Sequence, residues 1–168
     1  DIYVSDDFLS NDFLWINNQD GTFTNQVSRA VRHQSYSGMG VDAADINNDA
    51  LPDIATVDML PENNERKKIS YSFMNYERYQ MERSMNYEPE FMRNMLHLNN
   101  GNRSQDGKKT SYANPNGTSI PFFSEIGQLA GISETDWSWS VLMPDFNNDG
   151  YKDIHITNGI GRDFINAD

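Results

Sequence analysis

The chain has no cysteine. That removes a disulfide framework and any thiolate metal site, and it is compatible with an oxidising exterior whose chemistry goes unused. No apolar run approaches the ~20 residues that a membrane-spanning helix needs, so no transmembrane segment is expected. Basic residues are scarce: 13 Lys and Arg stand against 25 Asp and Glu, a formal charge of −12. Nucleic acid is therefore disfavoured, because its phosphates call for Lys and Arg, and cations are favoured. No nucleophile elbow, phosphate loop or zinc signature occurs. His33, His97 and His155 lack metal-ligand spacing and read as strand or surface histidines. Gly159-Ile-Gly161 lacks the third glycine and the following helix of a dinucleotide fingerprint. The first residue is Asp1 and no charged-then-apolar leader follows it, so the chain is expected to be cut from something longer.

What is present is enough for a folded domain: 168 residues, 37% hydrophobic and 12% aromatic, a composition unlike that of a disordered segment. It also contains a repeat. DINNDALPDI (residues 45–54) recurs as DFNNDGYKDI 100 residues later, and the same offset carries Phe23 onto Phe123, Ala30 onto Ala130 and Val41 onto Val141. FLWINN (13–18) recurs as MLHLNN at an offset of 82, and Asp1-Ile-Tyr-Val resembles the Asp-Ile openings at 53 and 153. The offsets differ because the second copy carries insertions near 59–92 and 102–119. Without them the unit is about 52 residues long, a length that marks propeller blades built from several short strands.

Apolar alternation and turn residues place strands near 2–5, 12–17, 21–24, 39–44, 53–58, 94–98, 121–124, 138–143 and 153–157, with a hairpin turn at Asp20-Gly21. The fold expected is all-β, a β-propeller fragment of about two blades with a helical insertion. Residues 1–58 form a first unit, 59–93 the insertion, rich in Met, Tyr, Glu and Arg, and 94–168 a second unit. Residues 102–119 read as an exposed polar loop, and its Asn102 and Asn116 sequons carry meaning only where N-glycosylation operates. Trp137 and Trp139 lie two apart on a strand. A sugar-stacking face with Tyr36 is conceivable, but alignment with Met39 and Val41 favours blade core.

The repeated loops carry the chemistry. Ca²⁺ takes six to eight oxygens at about 2.3–2.6 Å, and a short loop with oxygen side chains at alternate positions wraps it. Positions 1, 3 and 5 are Asp45, Asn47 and Asp49 in one loop and Asp145, Asn147 and Asp149 in the other. Leu51 and Tyr151 would offer backbone carbonyls at position 7, and Asp53 and Asp153 would close the cage at position 9. Position 12 is Thr56 or Ile156 rather than Glu, which excludes an EF-hand. Gly150 suits the sharp bend at position 6, where the first loop has Ala50, so the first site is expected to be the weaker. Asp-rich turns also cap strands with no ion, but two copies at matched spacing favour calcium. Asp1 occupies the place of a position-9 Asp, the remnant of a third loop.

The pattern DxNxDGxxDI, preceded by NNxDGTF, resembles the FG-GAP/VCBS repeat family of integrin-α-like propellers, and GMGVDAADINNDALPDI is similar to bacterial secreted members that often carry an ASPIC/UnbV domain. The resemblance implies a propeller of about seven blades with Ca²⁺ in its loops, a secreted, cell-surface or periplasmic location, and adhesion to a protein or glycan ligand. A non-catalytic scaffold is the leading expectation. A polysaccharide-acting propeller enzyme is the competitor, which convergent buried acids outside the two loops would favour. A purely structural repeat is the third reading.

Overall fold

In the computed structural model the described residues are 1–8, 10–69, 75–103 and 120–160. They are mostly β, with few helices. The first sheet is a meander of β1 (Ile2–Val4), β2 (Phe13–Asn17) and β3 (Phe23–Asn25), followed by one helical turn, α1 (Val27–Ala30). A two-residue strand, β4 (Gln34–Ser35), leads to β5 (Gly40–Ala44), the first Asp loop and β6 (Asp53–Val57). After β7 (Met59–Leu60) the insertion carries α2 (Asn64–Ile69), α3 (Tyr76–Ser84) and β8 (Glu90–Phe91). Then come β9 (Met95–Arg103), β10 (Ile120–Glu125), β11 (Asp136–Leu142), the second Asp loop and β12 (His155–Asn158).

Strands β5, β6, β9 and β10 form one four-stranded antiparallel sheet. It takes β6 from the expected first unit and β9 from the second, so sheet boundaries and sequence-repeat boundaries are out of phase, and the insertion is a long excursion between neighbouring strands. β7, β11 and β12 form a third sheet, and β4 pairs with β8 in parallel. The nine strands legible in the sequence are present within one to three residues at most ends; β4, β7 and β8 were not anticipated. β9 runs on past residue 98 to Arg103, with Asn102 and Arg103 opposite Pro121 and Ile120. That corrects the start of the expected loop, and the rest of it, with Asn116, lies outside the described residues.

The sheets stack with apolar layers between them. Leu14 of the first sheet meets Ile54, Ile120 and Phe123 of the second, sealed by Val27, Ala30 and Val31 around α1. On the other side of the second sheet Ala55, Val57 and Leu96 pack on Val141 and Met143. Covered on both faces, β6 is buried at all five positions. β5 and β11 come so close that a Cβ on Gly40 would sit 2.7 Å from the Trp139 carbonyl oxygen, which is why glycine stands there. Trp139 itself is 52% exposed whereas Val141 is 2% exposed. The bulge between Ser138 and Ser140 breaks the alternation, so the tryptophan expected in the core faces outward, its indole N–H donating to the Gly159 carbonyl. No described helix is long and apolar enough to cross a membrane.

Candidate cation loops and a buried acid cluster

Each Asp loop is held by its own side chains, and the two sets match bond for bond. In the first, Asp45 accepts from the N–H groups of Asp49 (3.0 Å) and Ala50 (2.8 Å), Asn47 accepts from Asp49, Asp49 accepts from Leu51, and Asp53 accepts from Ile46 (2.9 Å). In the second, Asp145 accepts from Asp149 (3.0 Å) and Gly150 (2.8 Å), Asn147 from Asp149, Asp149 from Tyr151, and Asp153 from Phe146 (2.9 Å). Asn48 and Asn148 are both left-handed, at φ 58° and 60°, a conformation Asn tolerates better than most residues. The loops lie side by side, and the Asn48 side chain donates to the Gly150 carbonyl at 3.0 Å.

Their surroundings differ. Asp53 is 0% exposed and takes a second bond at 2.7 Å from the Asn99 N–H of β9; burial pushes its carboxyl above the usual range in spite of those bonds. In the second loop the Tyr151 N–H and the Asn147 amide hold Asp149 below the usual range. Ala50 adopts φ 66° where Gly150 has 90°, so the first loop does carry a Cβ in the left-handed region.

The donor set suits a hard cation: Asp and Asn oxygens with the position-7 carbonyls of Leu51 and Tyr151, and no soft ligand. The carboxylates do not converge, however. Among the described residues no three acidic or His side chains make a metal-holding group. Within each loop the Asn amide instead donates to the position-5 Asp at 2.9 Å, so an N–H bond lies between two of the side chains a cation would draw on. The residues fit the ion in kind, and closing on it requires Asn47 and Asn147 to give up those bonds.

The structure also gathers acids that sequence reasoning missed. Asp12, Asp58, Glu82 and Glu90 are each 1% exposed or less. Asp58 accepts from the Ser35 hydroxyl and the N–H groups of Tyr36, Ser37 and Met59. Asp12 accepts from the Tyr3 hydroxyl and the Asp6 N–H. Desolvation raises both to about 6 against these bonds. Glu82 accepts from Arg78 Nε at 2.9 Å, and Glu90 from Gln34 Nε2 at 3.3 Å. Nothing in the local sequence marks Glu82 or Glu90 as buried, for both sit in a charged stretch that reads as a solvated face.

A cavity of about 460 Å³ lies elsewhere, between α2 and the third sheet, where Asn63, Arg66, Thr135 and Asp136 line it and Arg66 pairs with Asp136.

The described residues form stacked antiparallel sheets in which one strand-and-hairpin unit occurs twice. Residues 1–56 match the family model for the FG-GAP-like repeat, and that stretch is an FG-GAP-like repeat. No curated protein and no solved structure matches the chain.

Proposed function

We propose that the chain is part of a calcium-stabilised propeller scaffold in which the loops 45–53 and 145–153 each bind one Ca²⁺, and that the scaffold is a non-catalytic, secreted or surface-exposed binder of a protein or glycan. The observation that carries this reading is the pair of loops matched bond for bond 100 residues apart. Backbone N–H groups order each loop, so taking up an ion costs the rearrangement of the Asn47 and Asn147 amide bonds rather than the ordering of the whole loop. An acidic chain of net charge −12 gains from cations that offset its self-repulsion.

The test is thermal unfolding of the whole protein with Ca²⁺ and with chelator. A ligand present at 100 times its Kd adds about 2.7 kcal/mol, so chelation should lower Tm by several degrees. Asp149→Ala should remove part of that shift. An unchanged Tm in both conditions would sink the calcium reading and leave the repeat assignment standing.

The competing reading, a polysaccharide-acting enzyme, was to be favoured by convergent buried acids outside the loops. Glu82 and Glu90 are such acids, but at 1% exposure each a sugar reaches them only if residues 75–91 move.

A further inference from the structure

Residues 75–91 lead from α3 into β8, which pairs in parallel with β4, with Phe91 edge-on to His33. The Gln34 and Tyr36 N–H groups donate to the carbonyls of Pro89 (3.0 Å) and Phe91 (3.2 Å). The Glu88 N–H donates to the Asn11 side chain at 2.9 Å, and the Arg78 guanidinium stands 4.5 Å over the Tyr36 ring. Beneath them is the acid cluster. Facing Glu90 are Glu82 and Arg78 from α3, Asp12 from the segment before β2, and Gln34 and Tyr36 from the β4 segment. Asp6 and Tyr3 stand behind Asp12, and Asp58, just after β6, stands beside Asp12 and Tyr36. Arg78 is the one cation in that group; its Nε is engaged with Glu82, and its Nη2 makes no bond to any of the carboxyls.

Bonding within the cluster is uneven. Asp58 takes four donors and Asp12 two. Glu90 takes one long bond from a neutral amide, and its second oxygen has no partner; the second oxygen of Glu82 and the hydroxyl of Tyr36 are also unpartnered. Two buried carboxyls with free oxygens and a single shared cation cannot both stay ionised at low cost. A proton on one of them relieves the repulsion and converts an orphan acceptor into a donor.

We propose that residues 75–91 are a proton-locked strap: Glu90 docks against β4 as the neutral acid, and the strap releases from β4 when Glu90 gives up its proton to solvent. Burial and the neighbouring Glu82 raise Glu90 to about 8, which agrees with the geometry. The sign follows from linkage. A carboxyl raised above its unfolded value of about 4.3 favours the docked state fully below that value, and the advantage is lost as pH rises through the docked-state value.

The experiment is amide hydrogen exchange on the whole protein between pH 5 and 8, corrected for intrinsic chemical exchange. The Gln34 amide donates to the Pro89 carbonyl and the Glu88 amide to the Asn11 side chain, so both report the docked strap. The Tyr36 amide is also held by Asp58, and the Met39 amide, bonded to the Val57 carbonyl, is the reference. Protection at Gln34 and Glu88 should fall about tenfold per pH unit while Met39 holds steady, and Glu90→Gln should flatten the dependence with the strap closed. Flat protection in the parent overturns the proposal without any variant being needed. So does a slope in Glu90→Gln equal to the parent's, and so does protection at pH 8 that follows Na⁺ or Ca²⁺ concentration, which would make the neutralising species a metal ion.

Discussion

The first sheet and strands β6, β9 and β10 of the second are two copies of one design, and they agree in register at six pairs. Ile2, Tyr3 and Val4 face Trp15, Leu14 and Phe13, as Ile54, Ala55 and Thr56 face His97, Leu96 and Met95. Asn17, Ile16 and Trp15 face Phe23, Thr24 and Asn25, as Asn99, Leu98 and His97 face Phe123, Ser124 and Glu125. The polar bonds recur too. Asp1 accepts from the Asn17 N–H at 2.9 Å where Asp53 accepts from Asn99 at 2.7 Å. Asn25 accepts from the N–H groups of Leu14 and Val27, and Glu125 from those of Leu96 and Gly127. Burial does not recur: β1 reads exposed, intermediate, exposed, whereas β6 is buried throughout. Local sequence sets hairpin register and side-chain-to-backbone bonds; what a strand buries depends on which sheets flank it.

The largest expected effect breaks the comparison at that point. Ile54 is 5% exposed and its counterpart Ile2 is 49% exposed. Ile54→Ala should cost about 2–5 kcal/mol, the usual toll of an aliphatic core truncation, and Ile2→Ala under about 1 kcal/mol, both read from urea unfolding. Equal losses would mean that Ile2 is covered in solution by something further.

A second effect separates the copies by pH. His97 stands where the first copy has Trp15; it is 1% exposed, its Nε2 has no partner, and its ring meets Phe123 edge-on. Burial lowers it to about 4. A histidine depressed below its unfolded 6.5 contributes stability that is present above pH 6.5 and lost as pH falls through 4, about 3 kcal/mol over the window. Next to it, burial pushes Glu125 up, but the bonds from His33, Gly127 and Leu96, together with the charge of Arg93, outweigh this and hold it at about 2. That carboxylate's own contribution is therefore still present at pH 5 and fades only in stronger acid. The stability difference between parent and His97→Leu should change by about 3 kcal/mol between pH 7 and 4. A constant difference would place the acid sensitivity elsewhere.

Much of this was legible beforehand, and the reasons differ by element. The nine main strands announce themselves through period-two apolar residues bounded by Asp-Asn-Gly turns, and the loops through their spacing. The β4–β8 pair was invisible because Gln34-Ser35 and Glu90-Phe91 are short, polar and 56 residues apart, so only tertiary contact defines them. Glu82 and Glu90 were hidden for a related reason. Charge predicts exposure, and their burial depends on Arg78 of α3 meeting Gln34 and Tyr36 of the β4 segment. Trp139 was misplaced because a bulge has no sequence signature here. The positive φ expected at position 6 is present in both loops, at Ala50 and Gly150, because the bend it serves is local.

That position yields the smallest effect and the sharpest one. The loops share their internal bonds, so exchanging residues at position 6 isolates the backbone term. Ala50 sits at φ 66°, where a Cβ crowds the following carbonyl at a cost of roughly 1–2 kcal/mol, offset in part because glycine loses more entropy on folding. Ala50→Gly should therefore stabilise the protein by about 0.5–1 kcal/mol. Gly150→Ala, from φ 90° with nothing within 4 Å of the added Cβ, should cost about 1 kcal/mol through conformation alone. Both changes leave Asp45 and Asp145 their position-6 N–H partners. If calcium occupies the loops, Ala50→Gly should also raise affinity at the first site, narrowing the gap between two resolved binding steps in a calcium titration. An Ala50→Gly protein no more stable than the parent would show that the first loop already relaxes around its alanine, and that its difference from the second resides in the buried Asp53 instead.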